Sequence, residues 1–307
     1  GTFSGLLYLV IFMGASALGL VTLLAIGNKV FYQGVVSGFE AGGRRRAKSL
    51  PGGLPIARYL QRSPVVALAL AEVRLFTRTP VFVINGFTGF IMFPVLLIIP
   101  SIAAGKTDFR LLMERILALP EIEAMGALVI GAYLLVLAAM STIPVTPFSR
   151  DGKRNIWILK SLPVSGKTVM LGKAFGAMTM IVPGAIPGIV VLEYILRLPL
   201  GYLVRGMIAG IIASFIFCLW GVILDMVRPM LNWTDLHKAV KSNLNVVIGM
   251  LSGVAMVAGL GFIVILLLNS GFPGSAIVSG MTLFLLILLW VTVRLAGAVA
   301  EKVWLRS

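Results

Sequence analysis

The chain has 307 residues, of which 59% are apolar and 12% are charged, and its mean hydropathy is +1.04. A soluble domain usually carries about 45–50% apolar and about 25% charged residues. The composition therefore argues against a cytosolic enzyme, a nucleic-acid-binding domain and a disordered chain, and it predicts a membrane protein. The formal net charge of +15 is interpreted as basic loops beside an anionic membrane surface, with no nucleic-acid partner.

Seven apolar stretches are long enough to cross a membrane, which takes about 20 helical residues. The predicted spans are residues 6–26, 81–104, 125–145, 169–192, 204–227, 246–268 and 277–299. Because a span must satisfy its own backbone hydrogen bonds in lipid, each is expected to be a helix. The predicted fold is an all-α polytopic membrane protein with about seven transmembrane helices.

The basic residues are distributed unequally between the two sides of these spans. Of the 26 Lys and Arg residues, 21 lie in residues 27–79, 146–173 and 228–241 and in the C-terminal stretch from Arg294, whereas the alternate connections hold five. The positive-inside rule then predicts a multi-pass protein of the cytoplasmic membrane. The basic loops and the C-terminus are expected in the cytoplasm, and the first helix starts outside.

The chain divides into four predicted segments. Residues 1–38 hold an isolated transmembrane helix, residues 39–63 form a basic linker rich in Gly and Pro, and residues 80–307 form a six-helix domain. Residues 64–79 are predicted to be an amphipathic helix at the membrane interface, with Ser63 as its N-cap. Its apolar face is expected to consist of Val66, Ala69, Val73 and Phe76.

A polar segment, residues 146–168, interrupts the six-helix domain with the sequence TPFSRDGKRNIWILKSLPVSGKT. It predicts a turn over residues 147–152 and then a short helix over residues 155–161 with apolar and basic faces. Tryptophan and arginine are enriched at binding hot spots. The segment therefore indicates either a docking site for another protein or an interfacial anchor that follows the positive-inside rule.

Two stretches resemble the ABC-2-type permeases of ABC transporters. Residues 148–165, FSRDGKRNIWILKSLPVS, are similar to that family's loop pattern S-R-(E/D)-G-(K/R) followed by L-(K/R)-S-L-P-(V/I)-S. Residues 224–234, LDMVRPMLNWT, resemble the family's L-D-x-x-x-P-x-L-x-W stretch. The resemblance covers about residues 64–307, and the interfacial helix before the six-helix domain also fits it.

The resemblance implies the transmembrane permease subunit of an ATP-driven exporter. A separate ATPase subunit would bind ATP and Mg, and a second permease half or copy is a further expected partner beside the lipid bilayer. Residues 1–38 would then end a preceding permease half, and a start at Gly1 predicts a trimmed N-terminus. The loop would be the coupling helix, whose contact residues with the ATPase would be Arg150, Asp151, Gly152, Lys153, Arg154, Trp157 and Lys160.

No catalytic, metal or cofactor site is predicted in this chain. A single cysteine, Cys218, and a single histidine, His237, cannot form a disulfide or a Cys/His zinc site. Residues 165–168, SGKT, lack the first glycine of a P-loop, since Ser161 occupies that position. The ATPase activity is therefore expected in a partner subunit.

Five further residues are candidates for a local role. Pro183 and Pro187 fall inside one span and mark a candidate helix hinge, either as a tolerated kink or as a broken helix beside a substrate path. Asp225 and Arg228, three residues apart, are predicted to form an ion pair at the cytoplasmic edge. Lys173, near a span end, is expected to extend its ammonium group to the interface.

Three other functions remain open from the sequence: an ion-gradient-driven secondary transporter, an intramembrane enzyme and a non-transporting scaffold. The first would need an acid or histidine near the membrane midplane, and the second would need a catalytic pair; neither is evident. Residues 106–123 are either a gate on the outer surface or a plain connection. The generic apolar spans do not indicate a substrate.

Overall fold

The structure is a computed structural model. It describes residues 63–103, 121–233 and 235–306, together with eight isolated positions between 13 and 117. The chain separates into two units, Gly1–Gln61 and Arg62–Ser307, and all the helices named below belong to the second unit. The predicted span over residues 6–26 and the predicted linker lie almost wholly outside the described residues, as does most of the segment 106–123.

The described part of the second unit is helical and contains no strand. Its helices are α1 (Pro64–Arg78), α2 (Pro80–Ala103), α3 (Ile122–Met140), α4 (Pro147–Ser161), α5 (Gly166–Leu196), α6 (Leu200–Val227), α7 (Leu236–Val240), α8 (Leu244–Asn269) and α9 (Gly274–Arg306).

Five of these helices are long and apolar enough to cross a membrane: α3, α5, α6, α8 with α7, and α9. A sixth span results if α1 and α2, bent by 96° at their junction, are counted as one broken span. The predicted all-α polytopic membrane fold is thereby confirmed. The predicted number of seven spans is not, because the described residues supply five or six.

Consecutive spans run in alternating directions. The Gly166 N–H and the Lys167 N–H, at the start of α5, each lie 3.2 Å from a carboxylate oxygen of Glu301 near the end of α9. Gly206, near the start of α6, packs on Ala127, near the start of α3. The bundle therefore has an α4 end, which also carries α1, and an opposite end where α3, α6 and α9 begin.

The predicted apolar face of α1 was partly wrong. The helix starts as expected, because the Ser63 hydroxyl accepts from the Val66 N–H at 3.4 Å and Pro64 occupies the first turn. Its buried residues, however, are Leu68, Ala69, Glu72 and Phe76, and Val66 is exposed. The reason is close packing on α5, which turns a charged residue inward.

Glycines allow this packing and that of α3 on α6. A Cβ atom at Gly176 would lie 2.8 Å from the Cβ of Glu72 in α1, and one at Gly206 would lie 3.0 Å from the Cα of Ala127 in α3. Small residues at such positions let helix backbones approach closely in a membrane. The two contacts therefore depend on the absence of a side chain.

Replacing Gly206 with leucine is expected to destabilise the bundle, because a backbone on α3 cannot move aside as a flexible side chain can. Overpacking of this kind costs about 1–3 kcal/mol. Thermal unfolding in a mild detergent measures it. Gly201→Leu on the same helix is the matched control, since nothing lies within 4 Å of a Cβ atom there. Equal midpoints for both variants would contradict the close α3–α6 contact.

Candidate functional site

Helix α4 is divided into two parts by Gly152. The backbone there has φ 65° and ψ 178°, a combination that is essentially restricted to glycine. We call residues 147–151 the anchor turn and residues 153–161 the arm. The turn predicted over residues 147–152 is therefore corrected: Pro147 starts a helical turn that leads into the arm.

The arm faces outward and the anchor turn faces inward. Trp157 is 73% exposed, and Lys153 is also exposed. Lys160 is half-buried, with its ammonium nitrogen 5.9 Å from the centre of the Trp304 ring. The backbone of Arg154 lies in the arm, and its side chain lies outside the described residues.

Three residues predicted to face a partner are instead turned inward. Arg150 is only 2% exposed, Gly152 is buried, and the Asp151 side chain is 7% exposed. Trp233 covers Gly152, because a Cβ atom at Gly152 would lie 3.1 Å from the indole ring. These three residues support the arm and are not part of its exposed surface.

Four buried charges, Glu72, Arg150, Asp151 and Lys173, form what we call the charge cluster. Glu72 of α1 pairs with Arg150 through one carboxylate oxygen and lies 2.8 Å from the Lys173 ammonium through the other. Lys173 of α5 is also 2.7 Å from an oxygen of Asp151. The formal charges sum to zero, so each buried ion has a counter-ion, as buried charges require.

Further contacts hold the cluster in place. The Arg150 guanidinium donates to the Ile143 carbonyl at 3.0 Å and to the Thr146 hydroxyl at 2.8 Å. Burial raises the pKa of Asp151 above its usual value, although the Lys173 charge acts in the opposite direction. Lys173 was expected to extend its ammonium group to the interface; it is buried instead, because its ammonium pairs with the carboxylates of Glu72 and Asp151.

The Asp225 carboxylate caps the anchor turn from α6. One of its oxygens accepts from the Phe148 N–H at 2.7 Å and from the Ser149 N–H at 2.8 Å, and the other accepts from the Asn245 amide at 2.7 Å. Helix α4 has no capping bond from its own N-cap residue. Asp225 therefore satisfies backbone donors that a helix start leaves free.

The predicted ion pair between Asp225 and Arg228 does not form. Asp225 is fully buried and Arg228 is exposed. The buried carboxylate points toward α4 and binds its donors there. Arg228 contributes its backbone carbonyl, which accepts from the Asn245 amide at 2.8 Å.

Residues after α6 complete the support of the anchor turn. The Trp233 indole N–H donates to the Ser149 carbonyl at 2.8 Å, and the Met230 N–H donates to the Ser149 hydroxyl at 2.9 Å. The Asn243 amide donates to the same hydroxyl at 3.0 Å. Residues 224–233 thus lie directly against residues 148–165.

Several of these residues were not predicted from the sequence as parts of a site. Glu72 shares a helix face with Leu68, Ala69 and Phe76, and that spacing was a signal for its burial. Gly172 and Gly176, four apart on either side of Lys173, indicated a close helix contact at that lysine. No sequence signal connected Ser149 with Asn243 or Asn245.

The structure also describes residues 165–168 and the two prolines of α5. Residues 165–168 start α5, where the Ser165 hydroxyl accepts from the Thr168 N–H at 3.2 Å. Helix α5 is continuous through Pro183 and Pro187, so the broken-helix alternative does not hold. Their role as a hinge stays a prediction.

Within the described residues, no group of three or more His, Cys, Asp or Glu side chains could hold a metal ion. Comparison of the chain with protein-family models, curated proteins and solved structures finds no match. The fold defines the class, an all-α polytopic membrane protein. Within it, one helix outside the spans, α4, projects an exposed arm from a buried anchor.

Proposed function

We propose that the chain is the permease subunit of an ATP-driven ABC transporter of the ABC-2 type, acting as an exporter. The observation that carries the proposal is the two-part form of α4. Its arm exposes Trp157, while its anchor turn is bound by buried polar atoms to α1, α5, α6 and the N-cap residue of α8, Asn243. The resemblance of residues 148–165 to the family's loop adds support.

The contacts of the anchor turn suggest how motion would pass into the spans. A separate ATPase subunit, which binds ATP and Mg, would dock on the arm and displace it as its nucleotide sites close. Since Arg150 holds α1, Asp151 holds α5 and Asp225 holds the turn to α6, those helices would move with the arm. Buried ion pairs suit this role, because removing one partner costs about 3–5 kcal/mol.

The charge pattern indicates the chemistry expected of the partner's surface and the membrane in which the chain lies. Lys153 and Lys160 lie on the arm beside Trp157, so the ATPase is expected to offer acidic residues around an apolar pocket. The excess of basic residues in the connections at the α4 end supports a cytoplasmic membrane location with that end in the cytoplasm. The described buried acids Glu72, Asp151 and Asp225 lie at the α4 end and not at mid-span, which gives the secondary-transporter alternative no support.

Replacing Trp157 with alanine is expected to abolish co-purification of the ATPase subunit while leaving the permease folded, because the side chain is exposed. The measurement is purification from the native host in mild detergent, with mass spectrometry of bound proteins and an ATPase assay. Tyr194→Ala is the matched control, since Tyr194 is an aromatic residue that is 81% exposed on α5, toward the opposite end.

Two outcomes would contradict the proposal. A wild-type chain that purifies without any ATPase would favour an ion-driven transporter or a scaffold. An ATPase that binds wild-type protein and the Trp157→Ala variant equally would keep the transporter class but remove the arm as its docking surface.

A further inference from the structure

Helix α8 packs closely on the bundle only in its first part. Its buried residues, Asn245, Val246, Gly249 and Gly253, all lie in its first ten residues, near the α4 end. Beyond Gly253 none of its residues is buried, and the helix contacts the core through the partly buried side chains of Met256, Val257, Leu260 and Val264. The second half of α8 is therefore packed less closely than the first.

Beside this less closely packed half lies a lateral groove of about 310 Å³ between α3, α6, α8 and α9. Small residues of α3 and α6, among them Ala132, Ala209 and Ala213, lie along it, and larger residues such as Val264 and Leu285 line its sides. Every residue that lines the groove is apolar. The groove therefore offers no side chain that could recognise a polar or charged ligand.

The length of the groove matches one leaflet of a bilayer. Along α3 it extends from Met125 to Leu135, which corresponds to about 15 Å of helix rise. A hydrocarbon core is about 30 Å thick. Since α3 starts at the opposite end of the bundle, the groove occupies the leaflet that lies away from α4.

The groove is continuous with the lipid-facing surface. Val129 and Ile265 line it and are 46% and 56% exposed, respectively. The groove is therefore open to the hydrocarbon tails of the bilayer, and its volume lies at the lower end of the range of small-ligand pockets, which begins at about 300 Å³.

We propose that this groove binds a single acyl chain of a membrane lipid in the leaflet away from α4. The proposal does not depend on the transporter function and would hold for any activity of the chain. It assigns a distinct site to one hydrocarbon tail, in addition to the general lipid contact of the exposed helix faces.

The test is photolabelling of the purified chain in nanodiscs of phosphatidylcholine that contain a phosphatidylcholine with a diazirine in one acyl chain. Labelled peptides are located by mass spectrometry. We expect concentrated labelling on residues 125–135 and 257–265. Gly261→Trp should remove it, because Gly261 lines the groove and a Cβ atom there meets nothing within 4 Å, so we expect the indole to fill the groove. Ala132→Phe should reduce it from the opposite side.

Gly259→Trp is the matched control. It places the same side chain on the same helix in open space, but two residues away and so on another face. Labelling that is uniform over the exposed faces and unchanged in Gly261→Trp would overturn the proposal. Cross-linking of the groove to a co-purified protein, in place of lipid, would overturn it as well. Neither result would affect the proposed ATPase contact.

Discussion

Replacing Glu72 with glutamine is expected to lower the free energy of unfolding by about 3–5 kcal/mol, the usual cost of removing one member of a buried ion pair. Glu72 is the counter-ion of both Arg150 and Lys173. Without its charge, two buried cations would share the single carboxylate of Asp151. Unfolding of the purified protein in mild detergent, by temperature or by denaturant, measures the loss.

The matched control is Glu123→Gln, since Glu123 is exposed at the start of α3 and its replacement should leave the unfolding midpoint unchanged. A second variant tests the cluster itself. In Glu72→Gln combined with Lys173→Met, the remaining charges of Arg150 and Asp151 balance, so the double variant should lose less stability than the sum of the single ones. Strict additivity would show that the four charges do not act as one cluster.

Replacing Asp225 with alanine is expected to destabilise the chain by about 3 kcal/mol or more and to free the arm. The change leaves the Phe148 and Ser149 N–H groups and the Asn245 amide without their acceptor, and each buried unsatisfied donor costs about 1–3 kcal/mol. The measurements are the unfolding midpoint and the rate of limited proteolysis within residues 147–161.

Arg228→Ala separates this explanation from the local ion pair that the sequence suggested. Since Arg228 is exposed and supplies only its backbone carbonyl, its replacement should change neither stability nor proteolysis. If Arg228→Ala reproduced the effect of Asp225→Ala, the role of Asp225 as the cap of the anchor turn would be wrong. The local ion pair between Asp225 and Arg228 would then be supported.

Hydropathy alone located the spans well. The stretch predicted over residues 204–227 is helix Leu200–Val227, and the stretch predicted over residues 246–268 is helix Leu244–Asn269. The reason is physical, because each helix in lipid must satisfy its own backbone hydrogen bonds. The apolar run and the helix therefore begin and end at nearly the same residues. The helix predicted over residues 64–79 is likewise found as Pro64–Arg78, because Ser63 and Pro64 mark its start. Its position at the membrane interface stays a prediction.

The direction of polar side chains was harder to predict. Basic residues in residues 146–173 were assigned to the surface by counting charges, and the count cannot reveal a counter-ion 78 positions away, as Glu72 is for Arg150. The same limit applies to Asp225, whose partners belong to α4 and α8. Trp157 and Lys153 are exposed, as a docking surface requires, and their contact with a partner stays a prediction.

The break at Gly152 also bears on how this protein can change over time. Residues before it are constrained by the interior, where few substitutions preserve charge balance and packing. Residues 153–161 carry the exposed surface and contact the core only through partly buried side chains such as Ile156 and Leu159, so they can diverge or be exchanged as a unit. If the proposed function holds, a chimera that receives this nine-residue stretch from an ABC-2-type permease should keep its own membrane architecture while acquiring a different subunit preference.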